Sequence, residues 1–103
     1  MYDFPLTGAQ KAFLRGRGQT LDATLSVGKA GLTPELFRTL QAQLKTHELV
    51  KLRFAHADRD ERAAWCAQIA DEARCVCLGA VGRTALFFRQ NPTPAERRLS
   101  LPD

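Results

Sequence analysis

From Ala23 to Ala55 the chain reads as strand, glycine-bracketed loop, capped helix and strand, an order that favours an α/β architecture. Thr33 is a good N-cap, Pro34 suits the first helical position, and Glu35 sits favourably in the first turn. Leu36, Phe37, Leu40 and Leu44 form one apolar stripe, which predicts a helix from Pro34 to Thr46. Before it, Ala23–Val27 reads as a short strand. After it, in Leu49–Ala55, Val50, Leu52 and Phe54 alternate with Lys51, Arg53 and Ala55, as in a strand buried on one face. A helix between two strands is a crossover connection. A second crossover follows: Asp58 caps a helix over Arg59–Ala73, whose inward positions are Ala63, Cys66, Ile69, Ala70 and Ala73. Strands over Cys75–Val81 and Thr84–Arg89 then meet at a Gly82-Arg83 hairpin turn.

Upstream, Thr7-Gly8-Ala9-Gln10 is a capping box opening a helix from Gly8 to Gly16, with Ala9 and Phe13 inward and Leu6 as a staple. Gly16 and Gly18 are expected to stop it. The order α-β-α-β-α-β-β predicts an α/β sandwich: a single domain with a four-stranded mixed sheet and helices on one or both faces. In the last strand Leu86 and Phe88 oppose Ala85 and Phe87, so a central position is expected. Gln90-Asn91-Pro92-Thr93-Pro94 extends no regular element, and residues 90–103 form a basic, Pro-containing tail, within or flanking the domain, that docks back or stays mobile.

The function classes narrow by what is missing. No nucleophile–base pair, metal-ligand cluster or phosphate-loop signature occurs, so neither catalysis nor a cofactor nor a small-molecule substrate is expected. His47 and His56 are isolated. Cys66, Cys75 and Cys77 form no zinc spacing and, being odd in number, no complete disulfide framework; they read as small buried hydrophobes. Trp65 is expected to cover the edge of the core. The start of the chain lacks a secretory signal and no apolar run is long enough to span a bilayer, so the expectation is a cytoplasmic monomer away from membranes.

Charge is more telling. The net charge is +4, and residues 1–54 hold eight Lys/Arg against four Asp/Glu, whereas residues 55–103 hold seven of each. The excess therefore lies in the half that contains Gly28-Lys29-Ala30-Gly31. A glycine-bracketed turn ahead of a helix start brings backbone N–H groups close to a phosphate, and Lys29 adds a point charge. Lys11 and Arg15 share a helix face with Arg17 just beyond; Lys51 and Arg53 share a strand face. Either these are ordinary solvated cations, or they continue a phosphate track.

Several stretches together resemble the CRM domain family (chloroplast RNA splicing and ribosome maturation) in its bacterial single-domain, YhbY-like form. They are Leu14-Arg15-Gly16, Val27 to Thr33 around the loop, His47 to Arg53, Gly82 to Arg89, and Glu96 to Pro102. The resemblance covers residues 6–102. It implies RNA binding, association with precursors of the large ribosomal subunit, and a fold similar to the C-terminal domain of translation initiation factor 3. On the family pattern, the G-x-x-G loop maps to Gly28, Lys29, Ala30 and Gly31. Lys11, Arg15, Arg17, Lys51 and Arg53, with Arg83 and Arg89, would extend the RNA surface. The family often has tyrosine before the final arginine; Phe88 stands here, removing a hydroxyl but leaving a ring for stacking.

Overall fold

In the computed structural model, which describes residues 1–103, each α-helix starts where a side-chain oxygen accepts a backbone N–H. Thr7 Oγ1 accepts from Gln10 N at 3.1 Å and opens α1 (Gly8–Gln19), with the reciprocal half of the capping box also present. Thr33 Oγ1 accepts from Leu36 N at 3.1 Å to open α2 (Pro34–His47), and Asp58 from Glu61 N at 2.8 Å to open α3 (Arg59–Ala73). Such caps stabilise a helix by about 1 kcal/mol each.

Between and after them lie β1 (Leu25–Val27), β2 (Leu49–Phe54), β3 (Val76–Val81) and β4 (Thr84–Phe88). The sheet order is β1-β2-β4-β3, with β1 parallel to β2 and β4 antiparallel to both of its neighbours. The fold is the expected α/β arrangement with a mixed four-stranded sheet, and β4 is central. Ala85, Leu86, Phe87 and Phe88 are all buried, because both faces of that strand are covered.

One face packs on α2 and α3 through Leu36, Leu40, Leu44, Leu52, Ile69 and Phe87. The other packs on α1 and the chain termini through Leu14, Leu49, Val76, Leu86 and Phe88. β2 is thus not apolar on one face only, since Leu49 is buried on the α1 side. Phe88 is also closed off there at 1% exposure, so its ring offers nothing for stacking. No helix is long and apolar enough to cross a membrane.

Several boundaries differ from the sequence pattern. Ala23, Thr24, Ala55, Cys75 and Arg89 fall outside their strands, although Thr24, Ala55 and Arg89 each still donate a backbone N–H to the neighbouring chain segment. α2 reaches His47. Gly16 and Gly18 do not stop α1, which continues to Gln19. Gly18 serves packing instead: a Cβ there would lie 2.5 Å from Leu86 Cδ2, so the missing side chain lets α1 approach β4. The helix accordingly buries Leu14 and Gly18 and leaves Ala9 exposed. Ala63 on α3 is exposed as well, one turn before the buried Cys66.

Two of the three cysteines behave as small buried hydrophobes. Burial pushes the Cys75 thiol up to about 12. Cys66 is raised because it donates its proton in a hydrogen bond to Cys77, and burial adds to this. Cys77 departs from that reading: the same hydrogen bond holds it down to about 7, although burial opposes the shift.

The tail docks. Glu48, which ends α2 at φ 65, is fully buried, and its carboxylate accepts from the backbone N–H groups of Asn91 (2.6 Å), Arg98 (2.7 Å) and Leu99 (3.1 Å). Its own carbonyl accepts from Arg89 N. Leu99 and Leu101 then pack on the α1-side core, and Pro102 O accepts from Gln10 Nε2 at 2.9 Å.

Replacing Glu48 by Gln turns an acceptor-only group into one that points donors at donors. The expected loss is about 2–4 kcal/mol of stability in urea unfolding, with faster tryptic cleavage at Arg97 and Arg98 in the folded protein. Iodoacetamide at pH 7 should label Cys77 ahead of Cys66 and Cys75. Labelling should fall as pH drops through 7 and the thiolate is protonated, read by peptide mass mapping.

Candidate nucleic-acid interface

The interface starts where β1 runs out. Val27 is buried and its carbonyl accepts from Ala55 N, which anchors the loop's first end to β2. The chain then turns back: Gly31 N donates to Gly28 O at 3.0 Å, closing a four-residue turn. Gly31 has φ 72, and a Cβ there would stand 3.3 Å from Trp65 Cζ2. Trp65, on α3, is itself half-buried, with its ring tilted against Phe54 at 5.9 Å between centroids. It therefore props the loop and covers the edge of the core. Gly28 has ordinary φ and open space where a Cβ would be, so the two glycines have different reasons to be there.

The exposed part of the turn is Gly28, Lys29 and Ala30. Their backbone N–H groups have no acceptor within the chain, whereas that of Gly31 is engaged by the turn. The free donors thus come from the front of the loop and not from its second glycine. α2 begins just behind, and its N-terminal partial charge adds to the field that Lys29 projects.

Two other cations share this end of the sheet. Arg53 lies between Ser26 of β1 and Thr84 of β4 in the strand register, is exposed, and makes no side-chain hydrogen bond. Arg83 sits on the β3–β4 turn, its carbonyl accepting from Phe54 N at 2.7 Å.

The remaining candidates divide. Because α1 stays helical through Arg17, that residue projects from a different flank than Lys11 and Arg15. Lys11 and Arg15 stand beside β3, where Arg15 Nε donates to Leu78 O at 2.8 Å. Arg17 instead faces a cleft shared with His47, Lys51 and Arg98. Lys51 gives its ammonium to Gly18 O (3.0 Å) in the last turn of α1 and to Leu21 O (3.2 Å) just beyond it, so it caps the C-terminal end of that helix. Arg89 donates to Gln41 and to Ala73 O (2.9 Å), tying α2 to the end of α3 at the far end of the sheet from the loop. Arg98 was legible as part of a basic tail, but its place beside Arg17 depends on Glu48 holding the tail.

No Lys or Arg side chain is neutralised by a carboxylate; the one ion pair joins the terminal amine to Asp71. No group of three or more His, Cys, Asp or Glu side chains is placed to hold a metal ion. The arrangement is a set of fixed donors and unpaired cations, which suits a polyanion.

The asymmetry of the two glycines is measurable. Gly31→Val should cost about 1–3 kcal/mol through the left-handed backbone and the Trp65 contact. Gly28→Ala should stay within about 0.5 kcal/mol of wild type. Urea unfolding of the two variants checks both.

The fold is similar to the solution structure of a hypothetical protein from Staphylococcus aureus, with a TM-score of 0.80 at 21% identity, covering 95% of this chain and 100% of the other. A Pseudomonas aeruginosa protein named "Probable RNA-binding protein" is 35% identical over 89 residues, 86% of each chain. A Haemophilus influenzae protein named "RNA-binding protein" is 28% identical over 94% of this chain and 95% of its own. The Bacillus subtilis protein YqeI is 23% identical over 84% of this chain and 90% of its own. The family model for the CRS1 / YhbY (CRM) domain matches residues 6–89, from the staple before α1 to the end of β4, and the chain belongs to that family.

Proposed function

We propose that this protein binds RNA through its sugar–phosphate backbone and shape, as a factor that assists assembly of the large ribosomal subunit. The observation that carries the binding is the Gly28–Gly31 turn, with three backbone N–H groups lacking acceptors beside an exposed, unpaired Lys29. Relatives of similar length are named as RNA-binding proteins, which supports the same reading. The ribosomal assignment rests on the resemblance to the bacterial single-domain form of the family.

In this reading the turn grips a phosphate through Lys29 and the amides of Gly28, Lys29 and Ala30. Arg53 and Arg83 extend the contact along the same end of the sheet, and Arg15, Arg17 and Lys11 hold more distant phosphates. Lys51 and Arg89 contribute mainly by holding α1, α2 and α3 in place. Little base-edge reading is required, because phosphate contacts position the protein without reporting sequence. The protein acts by binding and not by catalysis.

Affinity for RNA should fall steeply with salt, because each neutralised phosphate releases counterions. Lys29→Ala should lower affinity and reduce the slope of log K against log[salt] by about 0.7–1. A flat salt dependence in the wild type would remove backbone contacts from the mechanism. Crosslinking in cells, followed by sequencing of bound RNA, tests the ribosomal half of the proposal. Enrichment of large-subunit ribosomal RNA is expected, and enrichment of transfer RNA or messages would overturn it.

A further inference from the structure

A groove separates the C-terminal half of α1 from the β3–β4 hairpin, with a volume of about 580 Å³. Its origin is a register shift: Cys77 pairs with Phe87, but the next pair is Gly79 with Leu86, so Leu78 is an extra residue in β3. Such an extra residue disturbs the regular pairing beside α1, and its carbonyl is the one that Arg15 holds. Gly79, at φ 122 with nothing where a Cβ would stand, leaves the opening clear.

The floor is apolar, formed by Leu78 and Leu86, and Val81 stands at the lip with 83% of its surface exposed. Of the polar side chains in the wall, Lys51 and Thr84 are engaged within the chain, Lys51 donating to Gly18 O and Leu21 O and Thr84 to Val81 O, whereas Gln19 and Arg15 keep donors available. The Gln19 side chain makes no hydrogen bond within the chain. Arg15 uses Nε on the Leu78 carbonyl, which fixes the guanidinium at the wall and leaves its terminal nitrogens free. No carboxylate lines the groove.

We propose that this groove receives one unpaired base of the bound RNA, with the flanking phosphates on Arg15 and Arg53. The inference rests on the RNA binding proposed above and names the form of RNA the surface selects. A base is a flat plate with apolar faces and a hydrogen-bonding edge, matching an apolar floor with a free amide and guanidinium at the wall. Cationic walls without acidic residues favour a ligand that carries phosphates. The volume lies within the range of about 300–1,000 Å³ usual for small-ligand sites. A base inside a duplex is stacked and cannot enter.

The groove also connects to the turn. Val81, Thr84, Arg53 and Ser26 are register partners in one row across the four strands on the α1 side, and β1 leads directly into Gly28. That row spans three strand spacings, about 14 Å, so a short run of unpaired nucleotides reaches from the groove to the loop.

The test compares an RNA hairpin carrying 4-thiouridine in its loop with a fully paired duplex of the same length. The wild type should bind the hairpin roughly tenfold more tightly, as one accommodated base allows. Ultraviolet crosslinks should map to the tryptic peptide Cys75–Arg83. Val81→Glu, at an exposed position, should lose affinity for the hairpin more than for the duplex, whereas Lys29→Ala should weaken both by similar factors. Equal binding of the two RNAs, crosslinks confined to other peptides, or unchanged hairpin binding by Val81→Glu would overturn the groove while leaving RNA binding in place. Failure of the wild type to bind either RNA would overturn both.

Discussion

The carboxylate of Glu48 is the only fully buried charged side chain in the protein, and four parts of the chain meet at it. It ends α2, begins the turn into β2, fixes the exit of β4 through Asn91, and holds the tail through Arg98 and Leu99. Burying a carboxylate is costly unless donors replace the lost water, and here three backbone N–H groups do so. The left-handed backbone at this residue adds a further cost of about 1 kcal/mol, which those bonds offset. With the tail held, Leu99 and Leu101 complete the cover that α1 starts over Leu49, Val76 and Phe88. Without it, the α1-side core would lie open along one edge.

Cations in this protein serve two distinct ends. Lys51 and Arg89 are drawn inward onto helix C-terminal carbonyls, where positive charge is favourable and their donors are used. Lys29, Arg53 and Arg17 stay outside with no carboxylate partner. The division follows from register. Position 51 on β2 faces the end of α1, whereas position 53 lies beyond the reach of that helix. Two residues along one strand face thus separate a cap from a free charge.

Arg53 is exposed on the face of the sheet that α1 covers only in part, and Gly18 sets how closely α1 lies on β4. Packing and the proposed binding surface are therefore linked. The same bulge in β3 that gives Arg15 a carbonyl to hold also opens the groove beside it. Fold and candidate site share residues without sharing roles.

Sequence alone determined the element order, the three caps, the apolar stripes and the central place of β4, because each is a local pattern of a few residues. It also marked the glycine loop, since glycine and lysine ahead of a capped helix are a local signal. It misplaced the end of α1, because Gly18 looks like a helix terminator until Leu86 is brought against it. It could not show that Glu48 is buried, as the donors it accepts from lie 43 to 51 residues away. Nor could it separate Lys51 and Arg89 from the free cations, or show that Gly31 spends its N–H on the turn. Those outcomes depend on which strands become neighbours, and only the tertiary structure brings together groups so far apart in the chain.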